Sequence, residues 1–289
     1  MKFQFIERQH SAHSVGLMAE LFGVSRGGFY AWRSRPASKR SLTDKGLVEE
    51  IVKIQEKVKY TYGSPRVSEA LRRSGYRVGE NRVARLMRES KLGRRAKKRY
   101  RSTTDSNHRH LVSENLLQRE FDVPEPNLVW ASDMSYVATA QGWLYLCVIL
   151  DLFSRKVIGW AMGTRMTSEL MIRALLMACM NRKPPEGVIF HSDRGSQYCS
   201  EEFRKHLGRY RMRQSMSRVA DPWDNAVVES FFKTLKGELC GDRAFVSRAE
   251  ARTALFEYLE VFYNRNRLHS TLDYQTPEEY EEDFARKAA

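Results

Sequence analysis

The sequence contains no apolar run long enough to cross a membrane. The longest, Trp143 to Leu150, has eight residues and ends at Asp151, whereas a spanning helix needs about 20. The opening residues, MKFQFIERQHSAHS, hold neither an apolar core segment nor a small-residue cleavage site, so we expect no signal peptide and a cytoplasmic protein. The four cysteines form no CxxC pair, which disfavours a disulfide framework or a zinc ribbon.

Positive charge is in excess, and it is unevenly distributed. The chain has 49 Lys and Arg residues against 35 Asp and Glu, a net charge of +14. Residues 1–110 hold 26 of the basic and 10 of the acidic residues, so they carry +16, and residues 111–289 carry −2. An excess of this size favours a polyanionic partner, above all nucleic acid.

The densest basic stretch is residues 91–101, where seven of eleven side chains are Lys or Arg. It lies beside the polar residues 102–107, which are typical of a linker. A basic linker can follow phosphates without a fold of its own. The DNA-contact candidates in this stretch are Arg94, Arg95, Lys97, Lys98 and Arg99.

The N-terminal residues have the outline of a helix-turn-helix. Apolar residues recur at helical spacing over residues 14–22, and Gly23 follows them. Ser25 can cap a second short helix over residues 26–33, in which Arg26 and Arg33 are candidate DNA contacts. Further helices are predicted over residues 47–58, 66–73 and 81–90. We therefore expect a helix-turn-helix-like region over 1–60, a helical DNA-binding region with the basic linker over 61–110, and a linker over 111–124.

The remaining residues, 125–289, predict a mixed α/β domain. Three strand candidates joined by short connections are followed by alternating helices and strands, which favours a mixed five-stranded sheet with helices on both faces. The predicted strands cover residues 128–137, 142–152, 156–162, 188–191 and 213–217. The predicted helices cover residues 167–181, 201–210, 225–239 and 248–263.

Three acidic residues stand where such a sheet would bring them together. Asp133 lies inside the first strand, Asp193 follows the fourth, and Glu229 lies on the long helix. A carboxylate in an apolar strand is costly unless it is paired or binds a metal, and ligands bind at the carboxyl ends of parallel strands. Oxygen ligands favour Mg²⁺ or Mn²⁺. The competing acids are Asp151, expected to end a strand, Asp221, and Asp224, expected to cap the long helix.

These residues and the strings around them carry a family resemblance. Asp193 and Glu229 are separated by 35 residues and Lys236 follows, an arrangement similar to the DD(35)E signature of retroviral integrases and their insertion-sequence relatives. The strings WASDMSYV, HSDRGSQY, WDNAVVESFFKTLKGEL and YNRNRLHSTLDYQTPEEY resemble the OrfB transposase of the insertion-sequence-three family, as do LFGVSRGGFYAWRSRP and YGSPRVSEALRRSGYRVGENRVARLMRE. The resemblance covers nearly the whole chain in the correct order.

The resemblance implies a ribonuclease H-like catalytic core over residues 125–289, preceded by the all-α helix-turn-helix region. It implies that Asp133, Asp193 and Glu229 bind metal, expected as two Mg²⁺ or Mn²⁺ ions, and catalyse DNA cleavage and joining of a 3′-hydroxyl to target DNA. The implied partners are the terminal inverted repeats, target DNA, further copies of the chain and an OrfA product. A bacterial enzyme of this kind is expected at the nucleoid.

Other residues receive narrower expectations. Asn225 and Glu229 share a helix face with Lys233 and Lys236, so Asn225 is a candidate for contact with DNA, and by resemblance Lys236 is the best one. Trp223, Phe231, Phe232 and His191 are expected to pack in the interior, and no role follows for His269. His10 and His13 lack nearby cysteines, so an N-terminal zinc site is not expected.

Two other functions remain open at this point. A DNA-binding regulator that keeps the fold without chemistry is disfavoured by the three intact carboxylates. A metal nuclease acting on RNA–DNA hybrids or junctions is disfavoured by the basic helical front half.

Overall fold

The computed structural model describes residues 1–36, 38–93, 112–218, 221–241 and 244–288. The basic candidates Arg94, Arg95, Lys97, Lys98 and Arg99 lie outside the described residues. None of the helices in the described ranges is long and apolar enough to span a membrane.

Three short helices form a small N-terminal unit: α1 (Lys2–Gln9), α2 (Val15–Leu21) and α3 (Arg26–Ser34). The predicted cap is confirmed, because Ser25 Oγ accepts the Gly28 N–H at 2.9 Å. One buried residue from each helix, Ile6, Met18 and Phe29, makes their common core.

The next three helices share a second core. They are α4 (Lys39–Lys57), α5 (Ser64–Arg73) and α6 (Glu80–Glu89). Helix α4 begins eight residues before the predicted start, because Ser38 caps it by accepting the Ser41 N–H at 3.1 Å. Their buried residues form one cluster with Leu268, which comes from the far C-terminal part of the chain.

Tyr62 connects this helical unit to that C-terminal segment. Its hydroxyl accepts the Leu268 N–H at 2.9 Å and donates to the Asn266 carbonyl at 3.0 Å. Nearby, Arg73 donates to Glu279 and to the Tyr274 carbonyl. The helical unit is therefore held against the C-terminal segment by specific polar contacts as well as by the apolar cluster.

The sheet has the five strands that the sequence predicts. They are β1 (Val129–Thr139), β2 (Gly142–Asp151), β3 (Val157–Gly163), β4 (Ile189–Ser192) and β5 (Arg213–Met216). Their order is β3-β2-β1-β4-β5. The first three strands pair antiparallel, and β4 runs parallel to both β1 and β5. The mixed sheet is therefore confirmed.

Helices cover both faces of the sheet, as expected. Cys147 and Ile149 of β2 join the apolar cluster of α7 (Ser168–Arg182) and α8 (Glu201–Arg209). Because side chains alternate along a strand, Leu146 and Val148 join the opposite cluster. That cluster includes α9 (Ala226–Leu235), α10 (Arg248–Phe256) and α11 (Pro277–Ala288).

Helix α7 lies unusually close to β3. A Cβ added to Gly159 would sit 2.4 Å from the Ala174 carbonyl oxygen, so only glycine permits this approach.

Two predicted helices change geometry before they end. Helix α9 continues from Lys236 to Cys240 as a π-helix, and α10 continues from Glu257 to Tyr263 in the same form. The wider turn rotates the following side chains away from the positions that an unbroken α-helix gives them.

The segment before β1 is packed on the core along part of its length. Leu117 and Val123 are buried in the cluster beneath α9. The Leu116 N–H donates to Ser215 Oγ at 2.9 Å, and the Met216 N–H donates to the Glu114 carbonyl at 3.2 Å. These bonds attach the segment to β5.

Candidate active site at Asp133 and the carboxyl end of β4

Two of the predicted acids occupy equivalent places on neighbouring strands. The parallel register pairs Ser132 of β1 with Ser192 of β4, so Asp133 and Asp193 each follow by one residue. Neighbouring strands lie about 4.8 Å apart. The sheet therefore brings these two carboxylates to one edge.

Asn225 brings the beginning of α9 to the same edge. Its side chain is only 4% exposed, and its Nδ2 donates to the Ser132 carbonyl at 3.3 Å. Glu229 follows four residues later, about one helical turn along α9. Asn225 is thus placed to position the helix on the strand, and its burial does not favour the direct DNA contact expected from the sequence.

Asp133 and Glu229 both interact electrostatically with Asp193. The pKa of Asp133 is raised well above its ordinary value, first by burial and then by the charge of Asp193, with a smaller contribution from Glu229. The pKa of Glu229 is raised by partial burial and by Asp193. The charge of Asp193 therefore makes ionisation of both Asp133 and Glu229 more costly, as expected where like charges gather.

Backbone donors hold two of these carboxylates. The Met134 N–H donates to Asp133 Oδ1 at 2.7 Å, and the Gly195 N–H donates to Asp193 Oδ1 at 2.9 Å. Within the described ranges, no three His, Cys, Asp or Glu side chains already form a group ready to hold a metal ion. Binding a cation would therefore require these carboxylates to turn toward a common point.

The donor set nevertheless fits a hard divalent cation. All three acids offer oxygen ligands, which Mg²⁺ and Mn²⁺ prefer. A cation would also offset the repulsion that raises the pKa of Asp133. Asn225 Oδ1 is buried at this edge without a hydrogen-bond partner in the described part of the chain, so a further oxygen is available to a water or an ion.

Lys236 lies beside the carboxylates. Its Nζ is 4.9 Å from the centre of the Tyr136 ring, a distance typical of a cation–π contact. Burial lowers the pKa of Lys236, while the nearby Asp133 acts in the opposite direction. Sequence reasoning missed Tyr136, and its spacing from Asp133 gave no signal, because residues three apart on a strand face opposite sides of the sheet.

The prediction that Asp224 caps the long helix is wrong. Its side chain is fully buried and accepts hydrogen bonds from Arg119 Nε at 2.9 Å, Arg218 Nη2 at 2.9 Å and Asn115 Nδ2 at 2.8 Å. The pKa of Asp224 is held below its usual range, chiefly by the Arg218 guanidinium. A 3₁₀ turn from Pro222 to Asn225 directs this carboxylate inward, so it joins the segment before β1 to the start of α9.

Of the three aromatic residues expected in the interior, two are there. Phe231 and Phe232 are buried, but Trp223 is 69% exposed. The prediction for Trp223 is wrong because its neighbours Asp224 and Asn225 occupy the interior positions of the same turn.

Three further candidates contact neighbouring groups of the protein: Asp151, His191 and His269. Asp151 is buried and accepts the Asn127 N–H at 2.8 Å, and burial raises its pKa to about 6. His191 is buried as expected, with Nδ1 2.8 Å from Ser215 Oγ, and burial lowers its pKa to about 4. His269 lies edge-on to the Tyr263 ring, with centroids 4.9 Å apart.

The candidate DNA contacts of α3 belong to the separate N-terminal unit. Arg26 and Arg33 are exposed, and Arg33 Nε lies 3.4 Å from Glu7 Oε1. An exposed ion pair of this kind contributes little to stability, so it does not prevent Arg33 from exchanging Glu7 for a phosphate.

Comparison with protein families gives three matches. Residues 123–222 and residues 210–277 match models described as integrase core domain, and residues 41–101 match an HTH-like domain. The last match covers α4, α5 and α6 and not the α2–α3 pair that the sequence suggested.

Whole-length relatives are found among insertion elements. The chain is 43% identical over 272 residues to the uncharacterized 31 kDa protein of insertion element IS600 from Shigella sonnei, covering 94% of this chain and all of that one. It is 40% identical over 283 residues to transposase InsF for insertion sequence IS3A from Escherichia coli K12, covering 97% and 98%.

Solved structures give more distant matches. The simian T-cell lymphotropic virus intasome in complex with the PP2A regulatory subunit B56 gamma matches at 17% identity and a TM-score of 0.46, covering 80% of this chain and 74% of that one. The HTLV-2 integrase catalytic core domain in complex with magnesium matches at 20% identity and a TM-score of 0.41, covering 54% and 97%.

Proposed function

The chain belongs to the family of IS3 insertion-sequence transposases, and on that premise we propose that Asp133, Asp193 and Glu229 form its catalytic metal site. The enzyme is a DDE-type polynucleotidyl transferase with an integrase core and a DNA-binding helical part. The assignment of the site is carried by geometry: the β1–β4 register places Asp133 and Asp193 on neighbouring strands, and the hydrogen bond from Asn225 to the Ser132 carbonyl brings the start of α9 to them. Family membership also disfavours the alternatives of a regulator without chemistry and a nuclease for RNA–DNA hybrids.

Asp133, Asp193 and Glu229 would hold two Mg²⁺ or Mn²⁺ ions through their carboxylate oxygens. When bound, such ions lower the pKa of the attacking water or 3′-hydroxyl and stabilise the leaving oxygen. The backbone N–H groups of Met134 and Gly195 orient the two aspartates. Positioning supplies much of the catalysis in phosphoryl transfer, so binding of the ions would have to draw the three carboxylates toward one point.

Other residues support this site. Asn225 is a positioning residue, because its hydrogen bond to the Ser132 carbonyl sets where Glu229 stands relative to Asp133. Lys236 would contact a phosphate of the DNA end, and the face of Tyr136 limits the directions that its ammonium can take.

The DNA partners would be the terminal inverted repeats and the target. Arg26, Arg33 and the basic stretch at 94–99 would contact phosphates, which give affinity and register but no sequence information. Transposition acts on two element ends, so we propose that copies of the chain assemble on DNA and that an OrfA product takes part.

The experiment is a strand-transfer assay with the DNA ends of the element and Mg²⁺. Asp193→Asn is expected to keep DNA affinity within about twofold and to reduce cleavage and joining roughly a thousandfold, because metal stabilisation of the transition state supplies several kcal/mol. The matched control is Asp273→Asn, which removes an exposed carboxylate at a positive φ that Asn also accepts. Cleavage by Asp193→Asn at the rate of that control would refute the assignment.

A further inference from the structure

A cleft of about 280 Å³ opens where α5, α9 and the segment after Tyr263 meet. Side chains from distant parts of the chain line it, among them Arg66, Arg155, Arg267, His269, Ser230 and Thr271. None of the described residues that line it is acidic. The cleft therefore presents guanidinium and hydroxyl groups together, which are the groups that proteins use to bind phosphate.

Two of the arginines of the cleft share one carboxylate. Glu238, which stands behind the cleft, accepts from Arg267 Nε at 2.8 Å and Nη2 at 2.9 Å. The same carboxylate is 3.6 Å from Arg66 Nη1. One carboxylate thus serves two guanidinium groups, and its side chain is only 1% exposed.

Arg155 adds a third cation whose hydrogen bonding is incomplete. Its Nη2 donates to the Phe121 carbonyl at 2.9 Å. Its Nη1 is buried and lacks a hydrogen-bond partner in the described part of the chain, a costly state for a guanidinium N–H. An anion in the cleft would offer an acceptor and would lower the repulsion among the three arginines.

The cleft lies close to the proposed catalytic helix face. Its α9 residues include Ala226, Ser230 and Thr234. At about 100° per residue, these positions lie roughly a third of a turn around α9 from Glu229. Arg66 comes from α5, within the HTH-like match. A phosphate held here would therefore touch the DNA-binding unit and the catalytic helix together.

We propose that this cleft binds a backbone phosphate of DNA and thereby couples the position of the HTH-like domain to helix α9. The proposal rests on DNA as the substrate and not on the assignment of the three carboxylates. Phosphate contacts carry no sequence information, so the site would act on any strand that the enzyme places across this face.

The test measures DNA affinity of the full chain by fluorescence anisotropy with a duplex of about 30 base pairs over a KCl series. Each neutralised phosphate contributes about 0.9 to the slope of log K against log salt. Arg66→Gln is therefore expected to reduce the magnitude of the slope by about that amount, and Arg66→Lys to restore most of it. The control is Arg265→Gln, which removes a 62% exposed arginine of the same segment that pairs with Glu278; its slope is expected to stay unchanged.

A second pair of variants leaves every arginine in place. Thr271 is exposed at the mouth of the cleft, so Thr271→Glu brings a negative charge to the site, and Thr271→Gln is its neutral control. Thr271→Glu is expected to weaken DNA binding about tenfold, the loss that follows from about 1.4 kcal/mol, and Thr271→Gln to bind like the wild type. This pair decides the question if Arg66→Gln fails to fold in a thermal melt.

Inorganic phosphate distinguishes a DNA site from a site for a small anion. The proposal predicts that both DNA-binding results occur: Arg66→Gln lowers the salt slope, and Thr271→Glu weakens DNA binding. It is overturned if Arg66→Gln shows the wild-type slope and Thr271→Glu binds DNA with the wild-type affinity, including the case in which inorganic phosphate still raises the melting temperature of the wild type alone. The catalytic assignment is tested separately by the strand-transfer assay of Asp193→Asn, so failure of the DNA-binding test here is separable from failure of that assignment.

Discussion

Replacing Asp224 by Asn should destabilise the turn that leads into α9. Asp224 is buried. Its carboxylate accepts hydrogen bonds from the Arg218 backbone N–H at 2.8 Å, from the guanidinium groups of Arg119 and Arg218, and from Asn115. The Asn side chain keeps the shape of the carboxylate. It removes the charge, however, and turns one acceptor oxygen into an NH₂ group that faces guanidinium donors.

The magnitude follows from the number of charged hydrogen bonds and from the exposure of their partners. Hydrogen bonds to a charged group contribute about 1.5–3 kcal/mol each, and removing one partner of a buried pair costs about 3–5 kcal/mol. Arg119 and Arg218 are 43% and 54% exposed, so water can solvate both once the charge is lost. We therefore expect a loss of about 3 kcal/mol, or a melting temperature lowered by roughly 6–12 °C.

The assay is a thermal melt between pH 3 and pH 7, with Asp221→Asn as the control. Asp221 lies in the same turn, but its side chain is 21% exposed, so its loss should cost about 1 kcal/mol or less. Because the folded pKa of Asp224 is depressed, its stabilisation is complete above the unfolded value of 3.8 and is lost as the pH falls through the folded value. The gap between wild type and Asp224→Asn should therefore narrow below pH 3.8. Equal melting of the two Asn variants at pH 7 would refute this reasoning.

Three further outcomes are expected. Tyr62→Phe leaves the Leu268 N–H and the Asn266 carbonyl without their partner, so it should lower the free energy of unfolding by about 1–3 kcal/mol. Hydrogen exchange at the Leu268 amide should become faster, and unchanged protection there would contradict the docking contact. Asn264→Ala removes two bonds of 2.9 Å to the Val157 backbone and should cost about 2–4 kcal/mol in chemical denaturation; a midpoint equal to that of the wild type would rule this out. Asp133→Asn should raise the melting temperature at pH 7 in EDTA. The pKa of Asp133 is raised in the folded protein, so its ionised form destabilises the fold above the unfolded pKa. A lower melting temperature would argue against repulsion between Asp133 and the other carboxylates.

The sequence predicted the sheet well because local patterns determine it. Apolar runs and short connections indicated all five strands, and β1 with β4 brings Asp133 and Asp193 to the same edge as the parallel arrangement requires. Ser25 was also identified as a cap, since capping depends on only a few neighbouring residues.

The predictions from the sequence failed where contacts between distant segments determine the position of a side chain. Asp224 sits in a position suited to a helix cap, but Arg119, more than 100 residues earlier, pairs with it in the interior. Trp223 is exposed because the turn gives its interior positions to polar neighbours. The arginine cleft combines Arg66 with Arg155 and Arg267, a grouping that no local pattern reveals.

The most direct test of the central claim is Mn²⁺ binding by the metal-free protein, measured by electron paramagnetic resonance. Mn²⁺ is an oxygen-preferring cation that can occupy Mg²⁺ sites. Each of Asp133→Asn, Asp193→Asn and Glu229→Gln should weaken binding by tenfold or more, about 1.4 kcal/mol, while Asp273→Asn binds like the wild type. Wild-type Mn²⁺ affinity in all three variants would contradict the claim that these carboxylates hold the catalytic metal.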